Sequence, residues 1–439
     1  MAGKTHAANS GRRTLMSRIV LLPHGTTGDV LPLIWIGRQM RARGHSVLLV
    51  WLEAYREAAL QAGLEFVALK NDGYEELVRN PAFWRPHQSL KLTYAYAGRC
   101  VPKYVEAVMD DISRNGRPDL MMAPIMNFAA PLLRAKLCTP LISTHLSTLQ
   151  FVSAHAVPLS VPAARLLRLL PVPLRRFFLT HVAPYDHLAF PHVRQCCAEQ
   201  GVNPPRRLRD WWHSPDGSLA LFPDWFAPRQ PDWPPNTFQW DFPLEDLADA
   251  RPLEPDLSTF LSAGDKPVIF TLGSHHLHSR RYFEMAAEIT ARLGRRAVFA
   301  TRDVHLAPTG LPQSVFVTSY APFSALLPHA AAFVHHGGMG TLSQCFMAGV
   351  PQLVTPMAYD QPDNAAHVER LGAGLALNLD QFTVERALPL LRRCLEQESL
   401  RHQAGDCARR MRHGPPATML TTWLEARCAE GRSDSPSPP

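Results

Sequence analysis

Short apolar runs alternate with stretches of helical periodicity along the sequence, a rhythm that predicts parallel β-α-β units. Arg18 to Leu22 reads as a strand and Pro23 to Asp29, PHGTTGD, as a Gly-containing loop. Val30 to Arg43 follows as a helix with Leu33, Ile36 or Gly37, and Met40 on one face, and His45 to Trp51 as the next strand. Gly44 is placed to end that helix, where a left-handed residue is often needed. Pro118 to Met122 and Pro140 to Ser143 read as further strands, and Ser218 to Phe222 as the last strand of a first domain. A second series opens at Pro267 to Ser274, PVIFTLGS, and continues at Ala297 to Ala300 and Val315 to Val317. Leu388 to Arg412 is expected to be helical and to return towards the first domain.

One stretch, Tyr320 to Asn364, carries more chemistry than the rest. Its apolar strand, Ala330 to Val334, ends at His335-His336-Gly337-Gly338. A helix is expected from about Gly340-Thr341 to Ala348-Gly349, then a strand from Gln352 to Thr355 and a polar loop with Asp360 and Gln361. The first amides of a helix have no partner inside it, and with the dipole they attract a phosphate. Glycines let a backbone approach closely, and a His and a Thr hydroxyl can add donors. A tight turn with a helix cap explains the loop alone equally well. The neighbouring Asp-Gln pair tips the reading, because it sets sugar-type hydrogen-bonding groups beside the anion turn.

Composition narrows the class. A length of 439 residues suffices for two domains of about 200 residues each. Hydrophobic content of 46% and charged content of 19% describe a globular protein. The net charge of +7 comes from basic residues spread along the sequence. That suits nucleotide donors, anionic acceptors or a membrane surface, and lacks the clustered footprint of a nucleic-acid binder. The eight cysteines form no Cys-x-x-Cys pair, so reduced thiols and a cytoplasmic location are expected. No apolar run reaches about 18 residues, so no transmembrane helix is expected. The segment Ala163 to Leu179 mixes Leu and Phe with Arg165, Arg168, Arg175 and Arg176. It reads first as a surface helix pair broken by Pro171 and Pro173. A basic, apolar lip for a lipid acid or a membrane surface, peripheral at the inner membrane, is the functional alternative. The expected organisation is a disordered lead-in at 1–16 and an N-terminal domain at 17–228. A Pro-rich linker at 229–255, a C-terminal domain at 256–428 and a tail at 429–439 complete it.

The Tyr320–Asn364 stretch resembles the donor-binding signature of GT-B glycosyltransferases of the plant UGT and antibiotic glycosyltransferase superfamily. Tyr320-Ala321-Pro322 matches the segment whose aromatic residue stacks on the nucleobase. His336, Gly338, Gly340 and Thr341 match the His-x-Gly-x-x-Ser/Thr phosphate loop, with His335 and Gly337 beside them, and Asp360-Gln361 match the pair that holds donor sugar hydroxyls. Gln344 stands where plant members usually carry a ribose-binding Glu, and Gly273-Ser274 match the family's Gly-Ser at the donor phosphates. On its own residues Asp29 reads as a helix cap. The resemblance gives it another role: Gly25-Thr26-Thr27-Gly28-Asp29-Val30-Leu31-Pro32 fits the antibiotic-type Gly-x-x-Gly-Asp-x-x-Pro loop, in which the Asp is the general base.

The aromatic-dense run from Trp211 to Trp240 usually means packing. Its elements Trp212-His213-Ser214-Pro215, Trp225-Phe226-Ala227-Pro228 and Asp232-Trp233-Pro234 resemble the catalytic rhamnosyltransferases of rhamnolipid synthesis. These resemblances imply an α/β fold of GT-B type, with two Rossmann-like parallel-sheet domains facing a central cleft. They imply an inverting, metal-independent transfer of L-rhamnose from dTDP-L-rhamnose to the hydroxyl of a 3-(3-hydroxyalkanoyloxy)alkanoate. The nucleotide sugar is a co-substrate and no cofactor is expected. A partner acyltransferase would supply the acceptor, with acceptor contacts expected from His24, Phe83, Trp84 and Trp225. The rival readings are a UDP-sugar transferase acting on a sterol, polyketide or other lipid, a sugar-nucleotide epimerase of the same fold, and a non-catalytic binding module.

Overall fold

The computed structural model describes residues 16–70, 73–161, 163–181, 185–244, 252–273 and 280–433. Ser274, nearly all of the expected lead-in, residues 245–251 of the expected linker and the end of the tail lie outside the described residues.

Thirteen strands among the described residues form two sheets. The first holds β1 (Arg18–Leu21), β2 (Ser46–Trp51), β3 (Glu65–Ala68), β4 (Leu120–Pro124), β5 (Leu141–His145), β6 (Ser218–Leu221) and β7 (Thr237–Trp240). The second holds β8 (Val268–Phe270), β9 (Ala297–Ala300), β10 (Val315–Thr318), β11 (Ala332–His335), β12 (Gln352–Val354) and β13 (Gly374–Ala376). Their orders are β3-β2-β1-β4-β5-β6-β7 and β10-β9-β8-β11-β12-β13. Pairings such as β1 with β2, β1 with β4, β8 with β9 and β8 with β11 are parallel. Parallel strands buried on both faces need continuous apolar runs, and β1 and β2 supply them: Ile19, Val20, Leu21, Val47, Leu48 and Leu49 are buried. The expectation of two parallel-sheet α/β domains is met.

Each sheet changes winding direction once, between β1 and β4 and between β8 and β11. At such a switch point the loops leaving adjacent strands diverge, and a crevice opens beyond their carboxyl ends. The loop with Asp29 leaves β1. The turns with Gly273 and His336 leave β8 and β11. Topology alone therefore delivers the three loops to two facing crevices.

Several boundaries differ from the expected ones. The first helix begins at Thr27, so Asp29 lies inside its first turn. The sequence clusters Phe83, Trp84, Tyr94 and Tyr96 ahead of an expected helix, whereas Tyr94 and Tyr96 fall within the helix running from Pro86 to Asn115. The expected last strand of the first domain, near Phe222, is followed by another, β7, inside the segment read as a linker. That segment is tied down before β7: Asp232 accepts from Ser153 Oγ and from Ala154 N at 2.7 Å, and Trp233 stacks on Phe151 at 4.0 Å. Prolines there mark irregular backbone; they do not mark a free strap. The helix from Ala417 to Ser433 overruns the expected tail and packs Leu420, Leu424 and Cys428 into the core of the first sheet. The polypeptide thus crosses between the halves twice. Pro173 does not break its helix, because it sits at the second position of Val172–His181, where no intrahelical donor is lost.

Candidate active site

A cleft of about 1880 Å³ separates the two sheets and is lined from both sides. On the first side the loop after β1 is held in a single shape. Tyr74 donates its hydroxyl to Gly25 O at 2.7 Å, Tyr104 donates to Pro23 O, and Asn127 Nδ2 donates to Leu22 O at 2.9 Å. Gly25 has φ +129°, and a Cβ there would collide with the Asp29 carboxylate. Only glycine allows this turn to lie against that side chain.

Asp29 accepts from Thr26 N at 2.7 Å and Thr26 Oγ1 at 3.2 Å, both on Oδ2. The capping role and the place on the cleft wall coexist. Desolvation pushes its carboxyl up to about 7; the Thr26 amide opposes the shift and the charge of Asp360 adds to it. A carboxyl that changes charge near neutral pH is suited to accept a proton as a bond forms. His24 also reaches the wall, 6% exposed and packed against Trp51 and Tyr96, with its pKa lowered to about 4 by burial. It is a neutral neighbour at ordinary pH.

On the second side the two histidines separate. His335 is fully buried at the end of β11. Its Nδ1 accepts from Gly337 N at 3.1 Å, and its Nε2 lies 2.9 Å from Gln352 Oε1. Those partners fix the tautomer with the proton on Nε2, and burial lowers its pKa to about 3. His335, grouped with the donor-loop residues in the sequence, is absent from the cleft wall and shapes the turn from behind. Gly337, φ +91°, is likewise a turn residue behind the wall, where a Cβ would meet Val354 Cγ1 at 2.7 Å.

His336 does line the cleft. Its ring lies between two glycines: a Cβ on Gly273 would come within 2.7 Å of the ring, and one on Gly338 within 2.5 Å. The glycines make room for an imidazole, a more specific demand than turn formation. The helix Met339–Ala348 starts directly after Gly338. A Cβ on Gly340 would meet nothing within 4 Å, so open space faces the helix start, as an anion would require. Thr341 and Gln344 line the same wall, and Tyr320, 37% exposed, lines it too.

Asp360 and Gln361 line the cleft below this turn. The carbonyl end of Gln361 accepts from Met357 N at 2.9 Å and Ala358 N at 3.3 Å, which leaves its amide end for other contacts. Burial pushes the Asp360 carboxyl up to about 6, opposed by its bond from Asn364. Asn364 was not singled out from the sequence. It is fully buried, and its Nδ2 donates at 2.9 Å to both Gly337 O and Asp360 Oδ2. One side chain thus couples the anion turn to the carboxylate that follows β12. The available signal was its place one helical turn after Asp360, on the same face.

Phe83 and Trp84 line the cleft and pack on Tyr359, with ring centroids 5.5 and 6.2 Å apart. Tyr359, φ +58°, donates its hydroxyl to Phe83 O at 2.8 Å across the cleft. Asp363 accepts from Leu159 N at 2.7 Å, also across it. The expected acceptor contact at Trp225 is corrected. It is off the cleft wall, edge-on to Phe226, Phe242 and Phe346 with the Arg410 guanidinium over its ring. Its aromatic run builds the seam between the halves. Among the described residues, no group of three or more His, Cys, Asp or Glu is placed to hold a metal ion.

This fold and cleft define a GT-B glycosyltransferase, and comparison with known proteins agrees. Residues 285–426 match the family described as "Erythromycin biosynthesis protein CIII-like, C-terminal domain". The sequence is 31% identical over 397 residues to O-mycaminosyltylonolide 6-deoxyallosyltransferase of Streptomyces fradiae, covering 85% of this protein and 86% of that one. Two crystal structures share the fold. The kitacinnamycin glycosyltransferase has a TM-score of 0.72 at 21% identity, over 94% of this protein and 99% of that one. The calicheamicin glycosyltransferase CalG4 has 0.70 at 19%, over 96% of this protein and 100% of that one. The protein belongs to the antibiotic-type family of nucleotide-sugar glycosyltransferases, in which the sugar nucleotide is a co-substrate.

Proposed function

We propose that the protein transfers L-rhamnose from dTDP-L-rhamnose to the hydroxyl of a 3-(3-hydroxyalkanoyloxy)alkanoate, giving a mono-rhamnolipid. The observation that carries the reading is a single cleft with Asp29 on one wall and His336, Gly338 and Thr341 on the other. The acceptor hydroxyl is too weak an acid to ionise beforehand. Asp29 takes its proton as the new C–O bond forms, while the C–O bond to the diphosphate breaks. The leaving group gains charge as it departs. The first amides of the Met339–Ala348 helix and the His336 ring stabilise it, and such donors are typically worth about 3 kcal/mol each. Asp360 and the amide of Gln361 hold sugar hydroxyls, and Tyr320 stacks on the base. One displacement inverts the anomeric carbon.

Three features favour this donor and acceptor. The Streptomyces fradiae relative is named for a 6-deoxyallosyl group, and rhamnose is likewise a 6-deoxyhexose. The sequence elements around Trp212, Trp225 and Trp233 resemble the rhamnolipid enzymes. The mouth of the cleft is apolar and basic: Leu166, Phe178 and Arg165 line it, and Leu166, Leu169 and Phe177 are exposed. The same lip suits contact with a lipid surface and acceptor supply by a partner acyltransferase. No helix among the described residues is long and apolar enough to cross a membrane.

The test is mass spectrometry of products from purified protein given hydroxyacyl lipid with dTDP-rhamnose or UDP-glucose. A rhamnosylated acid with inverted anomeric configuration is expected only with dTDP-rhamnose. Transfer from UDP-glucose alone sinks the donor assignment, and a sugar product without acceptor points to an epimerase.

A further inference from the structure

The described residues of the cleft wall include four cations: Arg85, Arg165, Arg209 and Arg302. Arg85, Arg165 and Arg302 are exposed, whereas Arg209 is half-buried in the wall. It sits in the short turn Leu208–Trp211, and its guanidinium lies 5.5 Å from the centroid of the Trp212 ring. The turn is held rigidly. Leu208 N donates to Asp186 Oδ2 at 2.9 Å, Arg207 N to Asp210 Oδ2 at 3.0 Å, and Arg207 Nη1 to Thr180 O at 2.5 Å. The two nearest carboxylates therefore each cap a backbone amide of the turn. Among the described residues the Arg209 guanidinium forms neither a hydrogen bond nor an ion pair of its own.

The surroundings are apolar. Tyr94, Tyr185, Met126, Leu179 and Trp212 line the same side of the cleft. From Leu120 to Tyr185 the sequence contains no Asp or Glu, although it supplies about half of that side. Apart from Asp29, Asp186 is the one carboxylate that the described first-half wall presents. A guanidinium carries five N–H donors, and leaving them unpaired in an apolar wall is costly. Burial accordingly lowers the pKa of Arg209 from its usual value. The cost is offset when a planar anion arrives, because the guanidinium fork matches a carboxylate with two parallel bonds.

We propose that Arg209 binds the carboxylate of an amphiphilic acid acceptor and makes this cleft select anionic over neutral lipids. The proposal rests on the reading of the acceptor as a hydroxyacyl acid. It names the group that recognises the acid end while the hydroxyl meets Asp29.

Calorimetric binding of 3-hydroxydecanoate and of its methyl ester to the full-length protein tests it, without requiring turnover. The wild type is expected to bind the acid about tenfold more tightly than the ester. Arg209→Ala should lose that preference and keep its affinity for the ester and for dTDP. Arg209→Lys should keep part of it, as a point charge without the fork. Equal binding of acid and ester by the wild type, or an undiminished preference in Arg209→Ala, overturns the proposal. If Arg209→Ala does not fold, Arg209→Gln carries the same comparison. An acid preference that depends on Arg209, found without rhamnosyl transfer, would overturn the proposed function and leave the carboxylate site standing. Transfer that ignores the acid end would do the reverse.

Discussion

At the scale of single residues, the Asp29 carboxyl gives the sharpest expectations. With a pKa near 7, its basic form accumulates only as pH rises through neutrality. Turnover efficiency should climb with pH, about tenfold lower at pH 6 than on a plateau above pH 8, and Asp29→Asn should abolish it. Stability runs the opposite way. A carboxyl whose folded pKa is raised from 3.8 to about 7 favours the folded state below its unfolded pKa. That contribution is lost as pH rises through the folded pKa. Asp29→Asn should therefore melt higher than wild type at pH 8, with the advantage fading by pH 4. A variant equally stable at both would show that the site is not desolvated. The histidine pair separates in the same spirit. His336→Ala should lower kcat by about a hundredfold with little loss of stability. His335→Ala, which breaks contacts to Gln352 and Gly337, should cost roughly 1–3 kcal/mol in denaturant unfolding. The sequence showed two adjacent histidines at a strand end. It could not say which one faces the cleft, because packing of the strand end against Gln352 and Gly337 decides that.

At the scale of elements, strands and helices were legible wherever apolar periodicity was strong. Ala297–Ala300 appears with its expected bounds, and β11, the Met339–Ala348 helix and β12 differ from expectation by one or two residues. The long helix Pro86–Asn115 was not foreseen as one element. Tyr94 and Tyr96 looked like part of an aromatic cluster ahead of it, and Pro102 lies in its interior; burial of one face overrides the local penalty. The coupling between elements was invisible as well. Asn364 ties the turn after β11 to the start of the helix Gln361–Arg370. Asn364→Ala should raise the donor KM and cost roughly 1–3 kcal/mol of stability, while the acceptor KM stays unchanged. Asn364→Asp should be worse, because it sets a second carboxylate beside Asp360. Isothermal titration with dTDP and thermal melting separate the two effects, and unchanged donor affinity in both variants would make Asn364 a packing residue.

For the whole molecule, the two halves share an apolar seam where a wet interface would have allowed free motion. Phe222, Phe226, Trp233 and Phe242 from the first half meet Leu342, Phe346 and Val368 from the second in one cluster. Such a seam restricts relative motion to a hinge at one edge of the cleft. The final helix adds a second link: Arg43 and His45 both meet Glu425, at 2.6 and 3.1 Å, and Leu424 is fully buried in the first core. Leu424→Ala should cost about 2–5 kcal/mol and lower the melting temperature of the first half, read by tryptophan fluorescence. A silent Leu424→Ala would mean that the helix merely rests on the surface. By itself, the order of residues determined the β-α-β rhythm, the anion turn and the loop bearing the carboxylate, since these depend on neighbours a few positions apart. Tertiary structure decided which His faces the cleft, why Trp225 is seam and not site, and how Arg209 came to sit half-buried in the wall without an acceptor. Each of those depends on what distant parts of the polypeptide pack against, and pairwise burial between distant segments leaves no periodic trace.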